Sequence, residues 1–143
     1  RHIHTTIETC GHYPTDVLDQ ACRVLDALIF DIKCLDSARH KKATGVGSEL
    51  ILKNIGHVFE HFPDLPVLIR TPVIPGFNDT EEDILGIREM IPRKANIRYE
   101  ALTYHRMGQP KYGYLGRRYE LEGVKADEAF MKRLNIMLKS YEK

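Results

Sequence analysis

The sequence has no long apolar run, and its charges nearly cancel. No stretch approaches the roughly 20 apolar residues that a membrane-spanning helix needs, and no signal-peptide pattern is present. We therefore expect a cytoplasmic protein without a membrane partner. Lys and Arg together number 21 and Asp and Glu 20, which gives a net charge of +1. So small a net charge favours neither nucleic acid nor a membrane surface as a partner.

Cysteine is scarce, and its spacing matches no common metal motif. Cys10, Cys22 and Cys34 lie twelve residues apart, a separation unlike that of zinc or iron–sulfur motifs. An odd number of cysteines also argues against a disulfide scaffold. We predict three reduced thiols.

The chain has no initiator methionine and no internal repeat. It begins with Arg1 and enters a strand-like pattern almost at once, so we interpret it as part of a longer protein. Its 143 residues are enough for one domain with a substantial core. We expect residues 1–143 to form that single domain.

The chain does contain a regular alternation of strand and helix patterns. Apolar and β-branched runs predict four strands, at residues 3–8, 28–33, 67–71 and 97–103. Apolar residues at helical spacing predict helices after Pro14, at 48–62, after Thr80 and at 126–141, with residues 36–47 as a polar connection. Thr80 and Asp83 have the spacing of a helix cap. This order predicts an α/β fold: a parallel sheet of four βα units. Its two open edges could pair with a second copy.

The second predicted strand carries both apolar and charged side chains. Successive side chains of a strand point to opposite faces, so Leu28, Phe30 and Ile32 share one face and Asp31 and Lys33 share the other. The apolar face can pack on helices. The charges stand at the end of the strand where parallel sheets bind ligands.

Polar side chains occur at or just after the end of every predicted strand. These side chains are Glu8, Asp31, Lys33, Arg70 and His105. The ends of parallel strands lie at one edge of the sheet, so these groups can converge. Acids and bases around one opening suit a zwitterionic ligand, whose carboxylate would meet the bases.

Residues 104–119 form a predicted loop without a single acid, called here the basic segment. It carries Arg106, Lys111, Arg117 and Arg118 together with several glycines and tyrosines. Long loops in compact domains are often functional, and tyrosine offers flat contact area. The segment could bind an extended peptide, or it could be an ordinary solvated loop.

Four segments, in this order, resemble the C-terminal part of the glycyl-radical-enzyme activating enzymes, of the type that activates pyruvate formate-lyase. They are His4–Thr9, Leu28–Lys33, Ile69–Gly76 and Tyr104–Gly108 with Lys111, Tyr112 and Gly116. The resemblance covers nearly the whole chain. It implies the last four βα units of a partial (βα)6 barrel of the radical S-adenosylmethionine (SAM) superfamily.

The resemblance also implies an activity, its cofactors and its partners. In this family a reduced [4Fe–4S] cluster cleaves SAM, and the resulting 5′-deoxyadenosyl radical abstracts a hydrogen from a glycine Cα of a partner enzyme. The implied partner here is a glycyl radical enzyme like pyruvate formate-lyase. A flavodoxin or ferredoxin would be the reductant.

Family positions carry over to individual residues of this sequence. The implied SAM contacts are Asp31, Lys33, Arg70 and His105. The implied ligands of a monovalent cation beside SAM are Glu8, Thr9, the carbonyl near Ile29, and Asp31. The implied partner-peptide loop contains Arg106, Gly108, Lys111, Tyr112 and Gly116. Glu8 departs from the aspartate that is usual in the family.

The C-x3-C-x2-C motif that holds the family's [4Fe–4S] cluster is absent from this sequence. We therefore expect the chain by itself neither to bind the cluster nor to react. Two other interpretations of the residues remain open. One is a different α/β-barrel enzyme that binds a small anionic or zwitterionic metabolite through Lys33 and Arg70. The other is a peptide-binding module without catalysis.

Overall fold

A computed structural model describes residues 3–141 and contains ten helices and strands in that range. In chain order they are β1 (Thr6–Thr9), α1 (Thr15–Cys22), β2 (Ala27–Asp31), α2 (Ser37–Thr44), α3 (Glu49–His61), β3 (Val67–Val73), α4 (Glu81–Met90), β4 (Ile97–Thr103), α5 (Gln109–Tyr114) and α6 (Glu128–Ser140). The α/β class predicted from the sequence is confirmed. None of the helices within residues 3–141 combines the length and apolarity needed to span a bilayer.

The four strands form one parallel sheet in the order β1-β2-β3-β4. Each strand lies beside the next one in the sequence, so the carboxyl ends of all four strands meet at one edge. The register places Glu8 opposite Ile29. It also places Asp31 opposite Arg70, which in turn pairs with Glu100. These pairings put Asp31 and Arg70 at the same level of the sheet, with Glu8 at the level of Ile29, two residues before Asp31.

The core lies between one face of the sheet and the helices. Leu28, Phe30 and Ile32 are at most 1% exposed and pack with apolar residues of α1, α3 and α4. A second cluster joins the ends of β3 and β4 to α4 and α6. On the opposite face, Ile29 and Asp31 are only half-buried. The predicted division of β2 into an apolar and a charged face is therefore confirmed.

Several boundaries differ from those predicted. Strand β2 ends at Asp31, so Lys33 lies in the loop beyond it. Strand β3 continues through Pro72 to Val73, because pairing with β4 persists to the end of both strands. The segment predicted as a polar connection contains α2, whose N-terminus is capped by the Asp36 carboxylate. Gly45, with φ of +89°, ends this helix, and such a left-handed conformation favours glycine.

The predicted cap of α4 is confirmed. The Thr80 hydroxyl accepts a hydrogen bond of 3.1 Å from the amide of Asp83 and donates one of 2.7 Å to its carboxylate. The same carboxylate receives two hydrogen bonds from the Arg39 guanidinium, of 2.7 and 3.0 Å. These contacts fix the start of α4 and attach α2 to it.

Candidate functional site

Four of the five polar residues predicted at the strand ends form one cluster. The guanidinium of Arg70, on β3, contacts the Glu8 carboxylate at the end of β1. Arg70 Nε also lies 3.6 Å from Asp31 Oδ1 on β2. The ammonium of Lys33 lies 3.4 Å from the other oxygen of Asp31. Two acids and two bases, from three neighbouring strands and the loop after β2, thus meet at one edge of the sheet, as the sequence predicted.

The inner part of this cluster retains unused hydrogen-bonding capacity. The side chains of Asp31 and Arg70 are only 18% and 19% exposed. Asp31 Oδ1 and Arg70 Nε are nevertheless both buried without a hydrogen-bond partner in the described chain. Leaving such atoms without a hydrogen bond costs free energy, and the two atoms face each other at 3.6 Å. Lys33, 27% exposed, adds ammonium donors beside them.

The turn after β1 holds Glu8 in place. The Thr9 hydroxyl accepts a 3.0 Å hydrogen bond from the amide of Gly11. The buried carboxamide of Asn54, on α3, donates to the carbonyls of Gly11 and Tyr13 at 2.7 and 2.8 Å. The Thr9 hydroxyl therefore stabilises the turn. Among the predicted cation ligands, the described contacts connect only Glu8 and Asp31, each of which contacts Arg70.

His105 is exposed and lies apart from the cluster in its described contacts. Its Nδ1 accepts a 3.4 Å hydrogen bond from the amide of Met107, two residues later. The structure therefore does not join it to Asp31, Lys33 and Arg70, although it follows β4 at the same edge of the sheet.

The basic segment, predicted as a loop, contains regular structure. It contains α5, and the hydroxyls of Tyr104 and Tyr119 hydrogen-bond to each other across its base. This bond with Tyr104 raises the pKa of Tyr119 to about 12. The ring of Tyr119 also packs edge-on against Tyr112, with centroids 4.9 Å apart. The segment is closed at its base by these tyrosines.

A cleft of about 570 Å³ runs along the basic segment. Its lining includes Arg106, Arg117 and Arg118, with Glu122 as its one acid. Beside the cleft, Tyr114 and Leu115 are 87% and 68% exposed. Exposed apolar side chains mixed with cations are typical of a surface that contacts another protein.

The three cysteines do not form a metal site among the described residues. Cys10 is exposed, whereas Cys22 and Cys34 are buried. Burial raises the pKa of the Cys22 thiol to about 11 and also raises that of Cys34. Within residues 3–141, no group of three or more His, Cys, Asp or Glu side chains is placed to hold a metal ion.

The chain resembles proteins of known activity along its whole length. No protein-family model matches it. It is 99% identical over all 143 residues to the (2S)-3-sulfopropanediol sulfolyase activating enzyme of Bilophila wadsworthia strain 3_1_6, of which it covers 47%. The chain belongs to the glycyl-radical-enzyme activating enzymes. This family is the one that the four sequence segments indicated.

Other members of the family agree with this assignment. The isethionate sulfite-lyase activating enzyme of Nitratidesulfovibrio vulgaris Hildenborough is 44% identical over 96% of this chain and 45% of its own length. The crystal structure of a domain of pyruvate-formate lyase-activating enzyme from Bacteroides vulgatus ATCC 8482 superposes with a TM-score of 0.73. It is 27% identical, over 97% of this chain and 77% of that one. The chain spans about half the length of the curated relatives it matches.

Sequence reasoning missed two side chains that shape this site, Asn54 and Asn78. Both are completely buried and hydrogen-bond to loop carbonyls at the carboxyl edge of the sheet. Asn54 was detectable as a polar residue within the apolar stripe of α3, because a buried amide needs partners. Asn78 follows a proline–glycine turn and gave no comparable signal.

Proposed function

We propose that this chain forms the SAM-binding and partner-facing part of an enzyme that installs a glycyl radical on a sulfolyase acting on (2S)-3-sulfopropanediol. The observation that carries the proposal is the cluster of Asp31, Lys33 and Arg70, with its buried unpaired atoms. The choice of sulfolyase rests on the name of the 99% identical relative. A pyruvate formate-lyase-like partner has less support, since the matching structure that bears that name is 27% identical.

The cluster fits the charged amino-acid end of SAM. The Lys33 ammonium and the Arg70 guanidinium are donors for a carboxylate, and the Asp31 carboxylate is an acceptor for an ammonium or a hydroxyl. The partial burial of Asp31 and Arg70 strengthens such contacts, because charges interact more strongly away from water. Glu8 neutralises Arg70 from its exposed side and keeps the guanidinium oriented.

The described residues do not fit the [4Fe–4S] cluster of this family. Two of the three cysteines are buried, and no set of side chains in residues 3–141 is arranged for a metal. We assign the cluster to the part of the relatives' length that this chain does not span. In the longer protein, SAM and a reduced cluster would supply the radical chemistry, while this chain would orient SAM through Asp31, Lys33 and Arg70 and receive the glycine-bearing segment.

The basic segment is the proposed surface for the partner. It follows β4 directly, at the edge where SAM would bind. Arg106, Arg117 and Arg118 line its cleft and form no ion pair with the described residues, which leaves their charges free for an acidic surface. His105, exposed at the start of the segment, is proposed to reach SAM once the partner is bound. A flavodoxin or ferredoxin remains the proposed electron donor.

The test uses the longer protein that contains this chain. It is expressed and reconstituted with iron and sulfide without oxygen, reduced, and given SAM with the sulfolyase. We expect 5′-deoxyadenosine, together with the electron paramagnetic resonance doublet of a glycyl radical on the partner. Lys33→Ala should lose most of this product, whereas Lys94→Ala, an exposed lysine at the opposite edge of the sheet, should not.

The outcomes separate the parts of the proposal. Absence of SAM cleavage in the reconstituted wild type would refute the radical activity. Cleavage without a glycyl radical on the sulfolyase would refute the choice of partner. Equal cleavage by Lys33→Ala and the wild type would remove the SAM site from this cluster.

A further inference from the structure

We propose that Asn78 is a positioning residue, which holds Lys33 and the end of β3 in the arrangement that SAM requires. This inference rests on the proposed function, because it takes Lys33 and Arg70 as SAM contacts. Asn78 itself is completely buried and would not touch the ligand.

The Asn78 carboxamide binds three backbone groups from two segments. Its Nδ2 donates to the carbonyl of Lys33 at 2.7 Å and to the carbonyl of Pro72 at 2.9 Å. Its Oδ1 accepts from the amide of Ile74 at 2.7 Å. One side chain thus ties the loop after β2 to the end of β3.

This link begins where the regular hydrogen-bond ladder between β2 and β3 is interrupted. The amide of Ile32 donates to the carbonyl of Arg70 at 2.9 Å. In a regular parallel ladder, the amide of residue 72 would then donate to the carbonyl of Ile32. Proline has no amide hydrogen to give. The buried Thr71 hydroxyl donates to the Ile32 carbonyl instead, at 2.7 Å. Asn78 then holds the next residue, Lys33, so two side chains continue the ladder past the proline.

The consequence for the site is geometric. Lys33 lies outside regular structure, so nothing in the sheet ladder fixes its backbone. The hydrogen bond from Asn78 supplies that constraint, two residues beyond the level of the sheet at which Asp31 pairs with Arg70. A displacement of about 1 Å at such a position can reduce activity by about a hundredfold.

The chain offers a matched control in Asn96. Its Nδ2 likewise donates to two loop carbonyls, those of Pro63 and Leu65, at 2.9 and 2.8 Å. These carbonyls precede β3, at the edge of the sheet opposite the candidate site. Replacement of Asn96 therefore removes the same kind of link without reaching Lys33.

The experiment compares Asn78→Asp with Asn96→Asp in the reconstituted longer protein. Aspartate keeps the size and the acceptor oxygen but loses both N–H donors. At a temperature where both variants are folded, we expect Asn78→Asp to raise the KM for SAM by about tenfold to a hundredfold, with a smaller change in the KM for the partner. Asn96→Asp should lose thermal stability and keep the wild-type KM for SAM. Thr71→Val, which breaks the neighbouring link, should act like Asn78→Asp and serves if that variant does not fold.

A second readout needs neither cofactor nor activity. Partial acetylation with acetic anhydride, followed by mass spectrometry, measures the labelling of Lys33 relative to the exposed Lys94. A released loop should label at Lys33 several-fold faster in Asn78→Asp than in wild type, with no change in Asn96→Asp. Unchanged labelling, or equal effects of the two variants on the KM for SAM, would overturn the inference. Failure of the wild type to cleave SAM would instead count against the proposed function, while the labelling still decides the role of Asn78.

Discussion

Arg70 Nε and Asp31 Oδ1 lie 3.6 Å apart, close enough for an ion pair yet without a hydrogen bond. Both atoms are buried, although buried polar atoms are normally hydrogen-bonded. The Arg70 guanidinium contacts the Glu8 carboxylate directly. The other carboxylate oxygen of Asp31 contacts the ammonium of Lys33. The pair is therefore held in place by its neighbours, while its two facing atoms are buried without a hydrogen bond.

Asp31→Asn should weaken SAM binding while preserving the shape of the site. The amide keeps the size of the side chain, but it removes the charged acceptor proposed for the ammonium of SAM. Hydrogen bonds to charged groups contribute about 1.5–3 kcal/mol, so we expect the Kd for SAM to rise by about tenfold to a hundredfold. Equilibrium dialysis with radiolabelled SAM measures this. Asp64→Asn, in the exposed loop before β3, is the matched control, and an equal effect there would contradict the role of Asp31.

Gly11→Ala should destabilise the fold and the turn that carries Glu8. Gly11 has φ of +67°, and an added Cβ would lie 2.2 Å from the ring of the buried Phe30. Gly45 has φ of +89° but open space around it. Gly45→Ala should therefore cost about 1–2 kcal/mol for the left-handed backbone alone, and Gly11→Ala about 1–3 kcal/mol more for overpacking. Urea unfolding compares the two, and equal losses would show that Phe30 does not restrict the turn.

Reversal of charge in the basic segment should weaken binding of the partner without affecting SAM. The double variant Arg117→Glu with Arg118→Glu removes two of the cations that line the cleft. We expect the KM for the proposed sulfolyase partner to rise at least tenfold at low ionic strength, with a difference that shrinks as salt screens the charges. The reversal of Lys132 and Lys139, both exposed on α6, changes the net charge equally. An equal effect of that control would mean that only net charge matters.

Ionisation of Asp83 should make the stability of the protein depend on pH in the acidic range. Hydrogen bonding from Arg39 lowers the pKa of Asp83 below its ordinary value of 3.8. A carboxyl whose pKa is lower in the folded state stabilises it above the unfolded pKa and loses that contribution as pH falls through the folded one. Asp83→Asn should therefore melt at a lower temperature than the wild type at pH 7, with a gap that narrows below about pH 4. Thermal melts from pH 7 to 2.5 test this, with the exposed Glu82→Gln as control for charge at the helix start. A constant gap would assign the loss to packing.

Local patterns in the sequence were enough to predict the layers of this fold. The alternation in β2 identified Leu28, Phe30 and Ile32 as the buried face, because strand side chains alternate regardless of what packs on them. The helix cap formed by Thr80 and Asp83 could also be predicted, because it depends only on the three-residue separation of these two side chains. The convergence of Glu8, Asp31, Lys33 and Arg70 followed from the parallel order of strands, which the βα alternation implies.

The contacts within the site were decided by the tertiary structure. Arg70 and Glu8 are 62 residues apart in sequence, and their pairing depends on strand order, register and side-chain rotamers together. The same is true of Asn78, which reaches back 45 residues to the Lys33 carbonyl. His105 follows its strand as predicted, yet its described hydrogen bond is with Met107, two residues later. Sequence determined which residues reach the carboxyl edge of the sheet, because that depends on local periodicity. Only the packed chain determined which of them touch, because loop paths and buried hydrogen bonds are set by non-local contacts.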